Sequence, residues 1–262
     1  LGCLLDACLV FCSIPHPNVY TWHAIISAHV ALDESERALT LYTRMQAGRT
    51  EPDKVLLLCI LKACSNIGAF EEGCFVYRQA IIHKFEMHPS IQSAVIHMFA
   101  NCGSIDDARK VFDTYGKRDT VLWSTMITAY VHHDHAVDAI QLYRNLHFEG
   151  IEPDKVTFLC ILKVISCGDL MYMGMMIHHE ILMRQDEVDA VLGSTIVHMY
   201  VKCDCMDDAQ AAFDKLQSRN AVTWNAMIAG HAWHGHGYSA LELYSRMQLQ
   251  DGFQEDYIFM HS

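Results

Sequence analysis

Seventeen histidines and eleven cysteines are spread over 262 residues, enough nitrogen and sulfur for several metal centres. The densest group is His231, His234 and His236, with Cys203 and Cys205 upstream of it. Structural zinc needs four ligands at workable spacing, commonly opened by a Cys-x-x-Cys pair, and the chain contains no such pair. His178-His179-Glu180 has the His-x-Glu form of a zinc nucleobase deaminase. In such an enzyme the glutamate moves the proton, and a later Cys-x-x-Cys completes the metal site. That second half is missing. A P-loop, a Gly-rich dinucleotide loop and a nucleophile elbow are missing too. The expectation is a chain with no catalytic residue, no metal and no cofactor, in which His234-Gly235-His236-Gly237 is a turn between two helices.

The elements that carry these residues repeat. Trp22, Trp123 and Trp224 are 101 residues apart, and so are Asp6, Asp107 and Asp208, Ala7, Ala108 and Ala209, and Phe11, Phe112 and Phe213. Pro52-Asp53-Lys54 returns as Pro153-Asp154-Lys155, and Cys59-Ile60-Leu61-Lys62 as Cys160-Ile161-Leu162-Lys163. Agreement at one offset marks an internal repeat. Within it the apolar residues keep a helical period: Trp123, Met126, Ile127 and Tyr130, then Ala139, Leu142, Tyr143 and Leu146. Segments such as Arg49–Asp53 and Gly150–Asp154 break the pattern, each containing a proline that stops a helix. No run alternates with period two. Helical hairpins with exposed apolar sides must stack, which predicts an all-α, right-handed α-solenoid superhelix of helix-turn-helix repeats. Thirteen to fourteen helices of roughly 11–14 residues are expected, with the three tryptophans in equivalent buried places.

Composition narrows the partners. Nineteen Lys and Arg against 31 Asp and Glu give a net charge of −12, and 52% of residues are hydrophobic. That excludes a disordered chain and argues against an indiscriminate, basic DNA-binding protein. No apolar run is long enough for a membrane span. The odd number of scattered cysteines fits reduced thiols in an intracellular compartment. The opening residues, Leu1–Ser13, lack the basic flank of a signal peptide, and the chain is expected to be a piece of a longer one. The methionines around Met171, Met173, Met175 and Met176 read as an accommodating helix core, with a partner-binding surface as the alternative.

These residues resemble the pentatricopeptide repeat family of plant organelles, in the class that alternates P, L and S motifs. P-like stretches are 19–53, 120–154 and 221–256, the last with Ala221-Val222-Thr223-Trp224-Asn225-Ala226-Met227-Ile228 at its core. L-like stretches are 54–88 and 155–189, with Ile60-Leu61-Lys62-Ala63-Cys64 as signature, and S-like stretches are 89–119 and 190–220, with Asp106-Asp107-Ala108-Arg109-Lys110-Val111-Phe112-Asp113. Residues 1–18 are similar to the end of an S motif and 257–262 to the start of another L motif.

The resemblance implies binding of single-stranded RNA, about one base per repeat. It further implies a role in a mitochondrion or chloroplast as a specificity factor for C-to-U RNA editing, without enzymatic activity in this stretch, although a deaminase domain could follow Ser262. Base choice would follow the fifth and last residues of a repeat: Ser93 with Asp119, Ser124 with Asp154, Ser194 with Asn220, and Asn225 with Asp256. By the same resemblance these pairs prefer G, G, A and U, and Val121, Val191 and Val222 sandwich the bases. His23 with Asp53, Leu58 with His88 and Leu159 with Asp189 depart from the family's pairs. The two leucines cannot hydrogen-bond a base, so the L-like stretches would space the strand or bind editing cofactor proteins. The capping habit of Ser, Asn and Asp is the plainer role for these residues. A protein-interaction scaffold is the alternative function, favoured by the acidic charge unless Lys62, Lys163 and Lys202 keep the groove positive.

Overall fold

The structure is a computed structural model that describes residues 2–116, 118–165, 170–184 and 188–251. The described residues form fifteen α-helices and no strand, in two compact units, 1–154 and 155–262. In the first unit α1 (Gly2–Ser13) stands alone. Four hairpins follow it: α2 (Val19–Ala31) with α3 (Ser35–Ala47), α4 (Lys54–Ile67) with α5 (Phe70–Ile82), α6 (Pro89–Asn101) with α7 (Ile105–Thr114), and α8 (Thr120–His132) with α9 (Ala136–Phe148). The second unit has three: α10 (Lys155–Ile165) with α11 (Met171–Met183), α12 (Ala190–Lys202) with α13 (Met206–Lys215), and α14 (Ala221–Trp233) with α15 (Gly237–Asp251). The count exceeds the expected thirteen to fourteen because seven hairpins are preceded by an extra second helix, α1. The lengths spread more widely than expected, from ten residues in α7 and α13 to fifteen in α15.

Within each unit a second helix packs on the first helix of the next hairpin, and the tryptophans mark three of these junctions. Phe11 meets Trp22 edge-on with ring centroids 4.7 Å apart, Phe112 meets Trp123 at 5.0 Å and Phe213 meets Trp224 at 4.8 Å. All six rings are buried. Such pairs contribute about 0.5–1.5 kcal/mol beyond their burial. The Arg118 guanidinium lies over Phe112 and donates to the Phe112 carbonyl, and Arg219 does the same at Phe213. Both cations thereby cap the end of a second helix.

Small residues set the spacing between layers. Ala38, Ala108, Ala139 and Ala209 are fully buried at equivalent points of α3, α7, α9 and α13. In α5 and α11 that point is Gly73 and Gly174, and a Cβ there would lie 2.3 Å from Met98 Sδ and 2.6 Å from Met199 Sδ respectively. Six of the seven hairpin turns use a left-handed residue fifteen places into the hairpin, Asp33, Gly68, Gly103, Asp134, Asp204 or Gly235, and the seventh lies outside the described residues. A second left-handed residue, Arg49, Lys84 or Gly150, follows α3, α5 and α9. The hairpins built on α7 and α13 lack it, and their short second helices run straight into extended Tyr115 and Leu216. That difference accounts for the 31-residue spacing from Pro89 to Asp119 and from Ala190 to Asn220.

Within each unit the first helices also pack side by side: α2 on α4, α4 on α6, α6 on α8, and α10 on α12, α12 on α14. No second helix packs on the next second helix among the described residues. The first-helix layer is therefore the tighter one and lies on the inside of the curve of each unit.

Candidate nucleic-acid interface

A first helix is covered on most sides, so few of its residues reach water. In α8 the buried residues are Leu122, Trp123, Ser124, Met126, Ile127, Ala129 and Tyr130. Its second residue, Val121, is nonetheless 57% exposed, and Val191 of α12 and Val222 of α14 are 52% and 60% exposed. Tyr20, Val55 and Val156 occupy the same place in α2, α4 and α10 and are exposed as well. Sequence reading had singled out only three of these six. In each unit three first helices thus hold an apolar side chain in water at one register, which fits flat, apolar faces such as bases.

The last residue before a first helix is its N-cap. Oδ1 accepts from a backbone N–H three residues on at Asp53 (Leu56, 2.8 Å), Asp119 (Leu122, 2.9 Å), Asp189 (Leu192, 3.0 Å) and Asn220 (Thr223, 2.9 Å). The caps use one oxygen and leave the rest of the group to other partners. The second oxygen of Asp189 is taken by Lys155 Nζ, and this contact, followed by the Leu192 N–H, holds its carboxyl below the usual carboxylate range. Asn220 Oδ1 also accepts from the Thr223 hydroxyl, and Nδ2 donates to the Ala190 carbonyl at 3.4 Å. One amide N–H of Asn220 remains. Asp119 is exposed and Asp154 half-buried, while Asp256 lies outside the described residues.

The fifth residues differ more. Ser124 and Ser194 are buried, and their hydroxyls donate to the carbonyls of Val121 (3.1 Å) and Val191 (2.8 Å), three residues back. Ser93, His23, Leu58 and Leu159 are half-buried, and Asn225 is exposed.

The charges are sorted by layer. The seven first helices contain no Asp or Glu at all. The carboxylates sit on second helices, as with Glu71, Glu72, Asp106, Asp107, Asp207 and Asp208, or at caps and turns. Lys62, Lys163 and Lys202 are exposed on first helices, with the Lys202 ammonium 4.4 Å from the centre of the Trp233 ring. Histidines of the first helices are suppressed as cations. Partial burial and nearby His132 hold His97 below the ordinary imidazole value, and burial and Lys202 do so for His198.

The pentatricopeptide repeat model matches residues 20–48, 194–220 and 222–251, and a second repeat model of that family matches residues 118–166. These matches make up just over half of the chain. The chain belongs to the pentatricopeptide repeat family. It is 32% identical over 253 residues to the pentatricopeptide repeat-containing protein At2g33680 of Arabidopsis thaliana, covering 97% of this chain and 35% of that protein. It is 33% identical over 243 residues to the Arabidopsis protein At1g59720, named chloroplastic/mitochondrial, covering 91% and 38%. The chain thus spans little more than a third of the length of these relatives. Among solved structures, the maize pentatricopeptide repeat protein PPR10 superposes with a TM-score of 0.80 at 16% identity, over 93% of this chain and 35% of that one. PPR10 in complex with an 18-nt psaJ RNA element superposes at 0.76, also at 16% identity, over 91% and 36%.

As pentatricopeptide repeats, these hairpins also account for the residues that looked chemical. His234 Nδ1 is 2.6 Å from the Gly230 carbonyl and its Nε2 meets Asp204, so it ties one hairpin turn to the next. His178 Nδ1 is 3.0 Å from the Tyr200 hydroxyl, and Glu180 pairs with Arg184 at 3.0 Å. No group of three or more His, Cys, Asp or Glu among the described residues is placed to hold a metal ion. No described helix is long and apolar enough to cross a membrane.

Proposed function

We propose that this chain binds single-stranded RNA along its first-helix layer, in a mitochondrion or chloroplast, as a specificity factor for C-to-U editing. The observation that carries the reading is the carboxylate-free first helices, which expose Tyr20, Val55 and Val121 in one unit and Val156, Val191 and Val222 in the other at one register. Bases stack on such side chains, and phosphates meet no like charge between the caps. The organellar setting and the RNA ligand are supported by the names of the relatives and by the PPR10 complex.

The cap geometry supports base choice by the last residue. Asp119 caps through Oδ1 and keeps its second oxygen as an acceptor, which suits the ring N–H on the Watson–Crick edge of G or U. Asn220 keeps one N–H donor, which suits the ring nitrogen acceptor of A or C. The fifth residue then selects within each pair, giving G for Ser93 with Asp119 and for Ser124 with Asp154, A for Ser194 with Asn220, and U for Asn225 with Asp256. In the L-type repeats Leu58 and Leu159 offer no hydrogen bond, and Asp189 has both oxygens engaged. Apolar residues exposed on and after their second helices favour protein partners there, in keeping with editing cofactors or a scaffold: Phe75, Ile82 and Met87, and Tyr172, Met176 and Met183.

The test is Asn220→Asp. Aspartate keeps the cap but replaces the free donor with an acceptor. Titrated at fixed salt against two RNAs differing only at the matching base, the variant moves its preference from A toward G, by about 1–3 kcal/mol. Equal binding of both RNAs by both folded proteins would falsify the base-reading scheme and leave the scaffold as the better account.

A further inference from the structure

The two L-type repeats share one more feature that base reading leaves unused. Lys62 and Lys163, 101 residues apart, stand at the same place on α4 and α10. Each follows the exposed Val55 or Val156 by seven residues, two helical turns, so valine and lysine share a face about 10 Å apart along the axis. The face is narrow. Leu56, Leu57, Ile60 and Leu61 on α4, and Phe158, Ile161 and Leu162 on α10, are buried around it.

Both lysines are exposed, and neither forms an ion pair among the described residues. Many other cations are committed: Arg37 to Glu34, Arg109 to Asp113, Lys110 to Asp107, Lys155 to Asp189, and Arg118 and Arg219 to helix-end carbonyls. The nearest acid on the same helix is the residue just before it, Asp53 or Asp154, nine residues or roughly 13 Å away along the axis. That is beyond the ~8 Å screening length at physiological salt. The same place holds Ser27, His97, Thr128, His198 and Ala229 in the other first helices, and both histidines have lowered pKa values. Only the L-type repeats present a fixed positive charge there.

We infer that Lys62 and Lys163 each bind a phosphodiester group of the RNA, so that the L-type repeats hold the strand by its backbone where they read no base. The inference rests on the RNA-binding reading above, and its signature differs from base recognition. A lysine neutralising one phosphate on a single strand contributes about 0.7 to the slope of log affinity against log salt. It contributes equally whatever the sequence.

The experiment uses the whole chain with Lys62→Gln, Lys163→Gln and both together, and Lys215→Gln on α13 as a second-helix control. Binding of a fluorescent single-stranded RNA carrying the proposed bases, and of one with those bases exchanged, is titrated from 50 to 200 mM KCl. Each first-helix substitution should flatten the slope by about 0.7, so that the affinity ratio across this salt range shrinks about 2.6-fold. The double variant should lose about 1.4, by equal factors on both RNAs, and the control should match the parent. RNA binding with unchanged slopes, or a loss confined to one RNA, overturns this inference alone. Failure of the parent chain to bind either RNA overturns the RNA-binding reading and this inference together.

Discussion

The first and second helices of this protein have opposite surfaces. A first helix packs beside one or two other first helices of its unit and against second helices, and keeps only a thin wet stripe. Its sequence is apolar almost all round and free of carboxylates. A second helix lacks neighbours of its own kind and keeps a broad wet face, where acids gather in the first turn, as with Glu36, Asp106, Asp107 and Asp138. There they also face the positive end of the helix dipole. The lesson is that a net charge of −12 says little about the first-helix layer, whose helices hold no carboxylate. Total charge is a poor guide to partners when a fold sorts its residues by layer.

The contrast is most directly broken by putting acid where there is none. Val121→Glu together with Val191→Glu should weaken RNA binding by about 10- to 100-fold, through lost stacking and added repulsion. Both sites are more than half exposed, so folding should survive, as circular dichroism would verify. Val137→Glu on α9, at 80% exposure, should leave affinity within twofold. Equal losses from both layers would erase the distinction.

A smaller effect is expected at the boundary between layers. Asp119→Ala removes the cap of α8 and should cost about 1 kcal/mol of stability, measured by urea unfolding, as well as base choice at its repeat. Asp119→Asn should restore the stability but not the preference for G. If Asn restored neither, the cap would not be the source of the loss.

The smallest effect concerns pH. His97 and His198 have folded values below the ordinary imidazole value, so the unfolded chain binds more protons as pH falls through that range. Their contribution to stability is complete above the ordinary value, about 6.5. It declines on acidification until the lowered folded value is passed. His234, raised chiefly by the Gly230 carbonyl and then Asp204, acts in the opposite sense. The urea midpoint should therefore drop less between pH 7.5 and 5.5 in a His97→Gln, His198→Gln variant than in the parent. An identical drop would show that the first-layer histidines titrate alike folded and unfolded.

The solenoid was legible from the sequence because the residues that recur at 101 are those the stacking constrains. Trp22, Trp123 and Trp224 find Phe11, Phe112 and Phe213 across one kind of junction, so none can drift without disturbing its pair. The site was legible only in outline. Asp119 and Asn220 were singled out for reading bases, but the helix start claims one oxygen of each, and no spacing rule separates the two roles. Burial of Ser124 and Ser194 depends on neighbouring hairpins. Tyr20, Val55 and Val156 carry the same signal as Val121, Val191 and Val222, an apolar residue second in its stretch. The Lys155–Asp189 pair joins residues 34 apart that meet only because a repeat's first and last residues begin successive first helices.

Gly73 against Met98, and Gly174 against Met199, bear on how such a protein can grow. A methionine projects into the space that alanine fills at the corresponding points of other second helices, so each partner is fitted to the other. A hairpin copied singly into a new place would carry half of that fit to a neighbour made for something else. A block of 101 residues carries both halves and ends where it began in the pattern. The chain's ancestry is accordingly easiest to understand as duplication by threes, and anyone lengthening or shortening the array at the bench should cut by the same measure.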